Sequence, residues 1–276
     1  MIKEVETKAK PFLRWAGGKS WLINQIDQII EIGSYNQYHE PFIGGGAMFF
    51  HLDPQNTSFL NDYNSELIDT YECIKEDVHG VIGELMKFEN TEEYYYKVRA
   101  AKYKNTLKKT ARFIFLNQTS FNGIYRVNLN GEYNVPYGFR NKDFLDAETL
   151  ILASHSLKNA ILTKGDFSYG LNKIRENDLV FLDPPYTITH NNNGFFKYNA
   201  KLFSKEDQYR LSEMIDEIKN KKAFYILTNA AHDTVKEIFN KNDNMIELQR
   251  ASLIGGKNAK RTKYSELIVT NINVKI

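Results

Sequence analysis

Apolar side chains recur at helical spacing over residues 20–32, where Leu22, Ile23, Ile26, Ile29 and Ile30 share one face of SWLINQIDQIIEI. Ser20 precedes that face as a candidate N-cap. A short run from Tyr38 to Phe42 reads as a strand, followed by Ile43-Gly44-Gly45-Gly46 and a helical AMFFHL. A second strand is predicted from Thr57 to Leu60, ending in Asn61-Asp62, with a helix from about Ser65 to Lys75. The first third therefore alternates as α/β.

The pattern changes between about 76 and 155. Residues 78–118 keep helical periodicity throughout. Arg126-Val127-Asn128-Leu129 and Glu132-Tyr133-Asn134-Val135 then flank Asn130-Gly131, the pair favoured in a two-residue type I′ hairpin turn. After about 156 the α/β rhythm returns, with strands expected at 160–164, 178–183, 222–228 and 264–272 and helices near 204–219 and 233–240. The expected architecture is a parallel α/β sheet interrupted by a helical segment and a hairpin. Such sheets bind ligands at the carboxyl ends of their strands.

Composition changes this picture little. With 42% hydrophobic and 25% charged residues, the 276-residue chain is ordinary for a globular protein, and no apolar stretch reaches bilayer-spanning length. The charged, polar N-terminus lacks the apolar core of a signal peptide, and one cysteine, Cys73, excludes an intrachain disulfide. A reducing cytoplasm is expected. A net charge of +2 says nothing of partners. Two basic clusters, at Lys257, Lys260, Arg261 and Lys263 and at Lys102, Lys104, Lys108, Lys109 and Arg112, read first as solvated faces.

Three features at strand ends carry chemistry. In Glu40-Pro41-Phe42-Ile43-Gly44-Gly45-Gly46, glycines after a strand permit a tight turn and close approach to a ligand. The same glycines would equally serve a plain turn, and Phe49 breaks the dinucleotide pattern. Asp62 stands about 20 residues on, where an acid can accept from ribose hydroxyls; an Asx turn or helix cap is the alternative. In Val180-Phe181-Leu182-Asp183-Pro184-Pro185-Tyr186, two prolines fix the backbone, so the Asp183 side chain and the Pro184 carbonyl can accept from one NH₂ group beside the Tyr186 ring. Alone, this describes a pocket for a planar amine, in DNA or in RNA. Gly17-Gly18-Lys19-Ser20 imitates a phosphate-binding loop, but Leu13 stands where that pattern needs glycine.

FLRWAGGK at 12–19, EPFIGGG at 40–46, NDYN at 61–64, FNGIYRVN at 121–128, GEYNVPYG at 131–138 and DPPY at 183–186 follow one another in that order. Together they resemble the Dam-type DNA adenine-N6 methyltransferases, from Pro11 to the C-terminal YSELIVTN. The resemblance implies a Rossmann-like, seven-stranded methyltransferase sheet formed by 1–75 and 156–276, with a target-recognition domain inserted at 76–155. It implies S-adenosylmethionine as donor (leaving S-adenosylhomocysteine), no metal, and a cytoplasmic enzyme, bacterial or phage-encoded and monomeric, acting on double-stranded DNA. The implied catalytic residues are Asp183, Pro184 and Tyr186. Trp15, Lys19, Phe42, Gly44, Gly46, Asp62, Asp166, Phe167 and Asp183 would form the donor pocket. Arg14, Asn122, Arg126, Pro136 and Arg140 would contact DNA, with GATC the first expectation for the target. Residues 138–141, Gly-Phe-Arg-Asn, depart from the Gly-Arg-Tyr type of the GATC enzymes.

Two rivals remain at this level. An RNA adenine methyltransferase would share the tetrapeptide, but a hairpin enters the major groove of B-DNA and not the narrow one of RNA. A non-catalytic binding module would not need Trp15, Lys19, Asp62 and the whole tetrapeptide together.

Overall fold

The computed structural model describes residues 8–128, 130–186, 203–251 and 263–275. The basic cluster expected at 257–263 falls largely outside them; of it, only the backbone of Lys263 is described. Seven strands form one sheet: β1 (Tyr38–Glu40), β2 (Ser58–Asp62), β3 (Ala160–Lys164), β4 (Leu179–Leu182), β5 (Phe224–Ala230), β6 (Asn244–Ala251) and β7 (Lys263–Thr270). Their order is β3-β2-β1-β4-β5-β7-β6. The pairs β2–β3, β1–β4 and β4–β5 are parallel, and β7 runs antiparallel to both β5 and β6. This is a mixed, Rossmann-like α/β sheet. Strand order reverses between β1 and β4, and crevices outside the carboxyl ends at such a point are where open α/β sheets take ligands.

The chain divides into two compact units, Met1–Ile23 with Ile43–Asp166, and Asn24–Phe42 with Phe167–Ile276. The first carries β2 and β3 with α2 (Ala47–Leu52), α3 (Ser65–Leu85), α4 (Glu92–Ala100), α5 (Thr106–Thr119) and α6 (Ala147–Ser156). The helix α3 outruns its expected end and kinks at Asp77 (φ −146°, ψ 67°). Residues 78–118 are not helical throughout. Breaks follow α3 and α4, and the side chains of Thr91 and Asn105 restart the chain by accepting from Tyr94 N and Lys108 N. Lys102 and Lys104 consequently lie between helices, while Arg112 is a strut donating to the Val98 and Arg99 carbonyls.

The hairpin is present in reduced form. One antiparallel bridge joins Val127 to Tyr133. Asn128 N donates to the Glu132 carbonyl, and Gly131 (φ +75°) donates to the Asn128 carbonyl. The reversal thus spans three residues with a left-handed glycine at its end, in place of the two-residue turn expected. Tyr95 Oη and Arg99 both donate to the Val135 carbonyl, tying the hairpin to α4.

The second unit carries β1, β4, β5, β6 and β7 with α7 (Lys205–Asn220) and α8 (Asp233–Ile238). The buried LVFL of β4 and the near-continuous apolar run of β5 suit strands covered on both faces. Val180, Leu182, Leu211, Ile215, Leu227 and Val269 lie at the heart of its core. The strand β6 escapes sequence reading because only Ile246 and Leu248 alternate in it, as befits an edge. In α1 (Ser20–Ile29), Lys19 supplies the first carbonyl to Ile23 N, so Ser20 is the first helical residue and not the cap.

Asp178 holds the entrance to β4 against β1. Its carboxylate, wholly buried, accepts from Gln37 N (3.1 Å) and Arg175 N (2.8 Å) and bonds His39 Nε2 (2.9 Å). Burial holds His39 below its usual pKa, against the opposing pull of Asp178, so the ring is neutral near pH 7. Asp178→Ala strands those donors and should lower stability by about 3 kcal/mol in urea unfolding. A loss below about 0.5 kcal/mol would mean that the bonds do not hold the strands.

Candidate active site

The chain leaving β1 enters the glycine turn. Gly44 (φ +48°) and Gly46 (φ +68°) both occupy the left-handed region, and space forbids side chains as well. A Cβ on Gly44 would stand 2.8 Å from Trp15 Cδ1, and one on Gly46 would stand 2.9 Å from Phe50 Cε2. The indole lies flat against the turn and stacks on Tyr125, with centroids 5.7 Å apart. Tyr71 Oη donates to the Gly44 carbonyl at 2.9 Å, fixing the turn from beneath.

Asp62 closes the same turn. Its Oδ2 accepts from Gly44 N (3.0 Å), and its Oδ1 accepts from Asn64 N (2.9 Å). It makes the Asx turn that was the alternative reading of this residue, and it also reaches back to the glycines. Burial pushes its carboxyl upward, opposed by the N–H donors of Asn64, Gly44 and Tyr63. Next to it, Tyr63 is 74% exposed and was not singled out by sequence. Lys19 is buried and donates to the Gly17 carbonyl at 2.9 Å. Asp166 is half-buried just beyond β3.

Also in the first unit, a cavity of about 320 Å³ is lined by Arg14, Trp15, Gly18, Gly45, Ala47 and Asn122, among others. Asn117, buried at the end of α5, builds its wall by pairing with the Arg14 backbone: Arg14 N donates to Oδ1 (2.8 Å) and Nδ2 donates to the Arg14 carbonyl (2.7 Å). Gly123 (φ +62°) leaves room for the Arg14 side chain, which a Cβ there would approach to 2.6 Å. Burial and the charge of Arg140 both lower the Arg14 pKa, marking two cations in mutual repulsion. Asn122 is exposed in a left-handed conformation (φ 54°). Arg126 and Pro136 are exposed on the hairpin, where Arg126 Nε donates to Asn134 Oδ1 at 2.8 Å. Phe139, 70% exposed beside Arg140, is a further aromatic that sequence did not single out.

In the second unit, the chain leaving β4 enters Asp183-Pro184-Pro185-Tyr186. Thr228 Oγ1 of β5 donates to Asp183 Oδ1 at 2.8 Å, and Tyr186 Oη donates to Glu266 Oε2 of β7. Burial, then the charges of Asp183 and Glu266, raise the Tyr186 pKa well above its usual value, so the phenol stays protonated. Neither Thr228 nor Glu266 is legible in sequence as a site residue. Phe42 stacks on Phe167 (5.3 Å), and Phe203 packs against both. Arg210 lies over the Phe167 ring at 4.8 Å, so Phe167 serves first as core.

Gly44→Ala should destabilise the chain by at least about 1 kcal/mol and displace Trp15. Thermal unfolding and tryptophan emission in a Trp21→Phe background check this; an unchanged melt and spectrum would mean that the turn yields freely.

Comparison with known proteins adds an independent finding. The family described as D12 class N6 adenine-specific DNA methyltransferase matches residues 15–253. A type II methyltransferase of Lactococcus lactis subsp. cremoris, M1.LlaDCHI, is 34% identical over 98% of each chain. The type II methyltransferase M.MjaIII of Methanocaldococcus jannaschii is 36% identical over 81% of this chain and 85% of its own. The DNA adenine methylase of Escherichia coli K12 is 29% identical over 83% of this chain and 82% of its own. An α/β sheet whose strand order reverses before an Asp-Pro-Pro-Tyr turn, joined to this match, identifies the chain as a member of the D12 class of N6 adenine-specific DNA methyltransferases.

Proposed function

We propose that the chain transfers a methyl group from S-adenosylmethionine to N6 of an adenine rotated out of duplex DNA, with GATC as target. The observation that carries this reading is the tetrapeptide after β4, with the Asp183 carboxylate held by Thr228 and the Tyr186 ring beside it. Asp183 and the Pro184 carbonyl accept from the two N6 hydrogens. They draw the amine toward a tetrahedral nitrogen whose lone pair can point along the transfer axis, so positioning supplies most of the rate. Rotating a base from the stack costs a few kcal/mol, and stacking on Tyr186 offsets about 1–3 kcal/mol. Asp183 is the proposed first acceptor of the proton that the product nitrogen sheds.

The donor pocket fits on one observation. Asp62 accepts from the N–H groups of Gly44, Asn64 and Tyr63, whereas a carboxylate offers about four acceptor positions, leaving capacity for a ribose hydroxyl. S-adenosylmethionine supplies the electrophilic methyl group. Trp15, Lys19, Gly44, Gly46 and Asp166 of the first unit, and Phe42 and Phe167 of the second, are the further residues proposed to serve donor binding. Residues 76–155 form the target-recognition domain and 1–75 with 156–276 the catalytic one. Arg126 reads guanine through its two-pronged guanidinium, Asn122 and Pro136 flank it, and Arg14 with Arg140 supplies positive charge for the DNA strand. The enzyme acts as a monomer.

Transfer from a tritiated donor should label duplex DNA in preference to RNA, and Asp183→Ala should cut it by at least about 100-fold with the fold intact. Labelling of RNA over DNA, or a variant within a few-fold of the parent, would contradict the reading. Arg126→Ala should relax target choice more than it weakens non-specific binding; uniform weakening with an unchanged target would make it a phosphate contact.

A further inference from the structure

We propose that Thr228 and Glu266 are positioning residues of the methyl-transfer site, Thr228 orienting the Asp183 carboxylate and Glu266 fixing the Tyr186 ring. The inference rests on the function proposed above and adds two residues to it.

Both side chains come from strands, which place site residues more precisely than loops do. Ala230 is opposite Glu266 and Thr228 opposite Ile268 in the β5–β7 ladder, so Thr228 and Glu266 share one face of the sheet, two positions apart. Thr228 is 1% exposed and Glu266 is 6% exposed. Burying a carboxylate is costly unless it is paired, and packing alone would be met by an apolar side chain at either position. Asp183 and Tyr186 lie beyond the end of β4, where no ladder restrains their torsions. The hydroxyl of Thr228 fixes which Asp183 oxygen faces β5. The bond from Tyr186 Oη to Glu266 pins the far end of the ring, where the Thr228 side chain bonds it as well. The raised pKa of Tyr186 keeps the donor in place across the working pH range.

A double-mutant cycle tests the pair. Tyr186→Phe keeps the ring and removes its hydroxyl; Glu266→Gln removes the charge. Each should slow single-turnover methyl transfer by about tenfold, with donor affinity by calorimetry unchanged, and the double variant should be no slower than the worse single one. A Glu266→Gln loss that persists at full size in the Tyr186→Phe background would overturn the proposal, as would a loss confined to donor affinity. Thr228→Val should slow the same step, and Thr228→Ser should restore it to within a few-fold; equal rates for the two variants would overturn the Thr228 role. If Glu266→Gln fails to fold by circular dichroism, Tyr186→Phe decides that arm: a parental rate overturns the Glu266 role and a slowed one supports it. A parent chain that transfers no methyl group to DNA would refute the proposed function instead, whereas an active parent with unaffected variants refutes only this inference.

Discussion

The parallel pairing of β1 with β4 is the constraint on which the rest of the structure depends. It places the strand-order reversal where the chain leaves β1 for the glycines and leaves β4 for Asp183. Backbone bonds alone would not secure so short a β1. Asp178 adds a buried carboxylate that gathers Gln37 N, Arg175 N and His39 at the entrance to the pair. The segments that leave the carboxyl ends thus rely on a polar lock at the opposite ends of the same strands.

A second dependence runs through Trp15. The indole can lie where it does because Gly44 and Gly45 present no side chain, and Asp62 keeps the turn in that shape through Gly44 N. Arg14, the next residue back, is held by Asn117 and given room by Gly123. One short segment, Leu13 to Gly18, therefore carries candidate donor-pocket and DNA-contact residues around a single cavity. A change at Gly44 would disturb that segment through Trp15.

Much of this was legible in the sequence because it is local. The apolar run into Asp183-Pro184-Pro185-Tyr186, the glycines after Tyr38–Phe42 and the return of α/β rhythm after 156 each announce themselves within a dozen residues. What could not be read depends on long-range pairing. Asn117 looks like any polar helix residue until it meets Arg14, 103 positions away. Thr228 and Glu266 sit inside strands whose pattern predicts only burial, and their partners lie 45 and 80 positions off. The breaks around α4 were missed for a different reason: periodicity continues across them, and Thr91 and Asn105 act as caps through one side-chain bond each. The hairpin turn shifted because Asn128 makes the closing pair with Glu132.

Methylation of adenine N6 at a defined site in duplex DNA is the function proposed for this fold. Modified-base sequencing of DNA from a host lacking its own adenine methylation, expressing this chain, tests it most directly. The expected result is N6-methyladenine on both strands of GATC and on few other adenines. Unmodified DNA from a host containing folded protein, or methyl groups on cytosine, would contradict it.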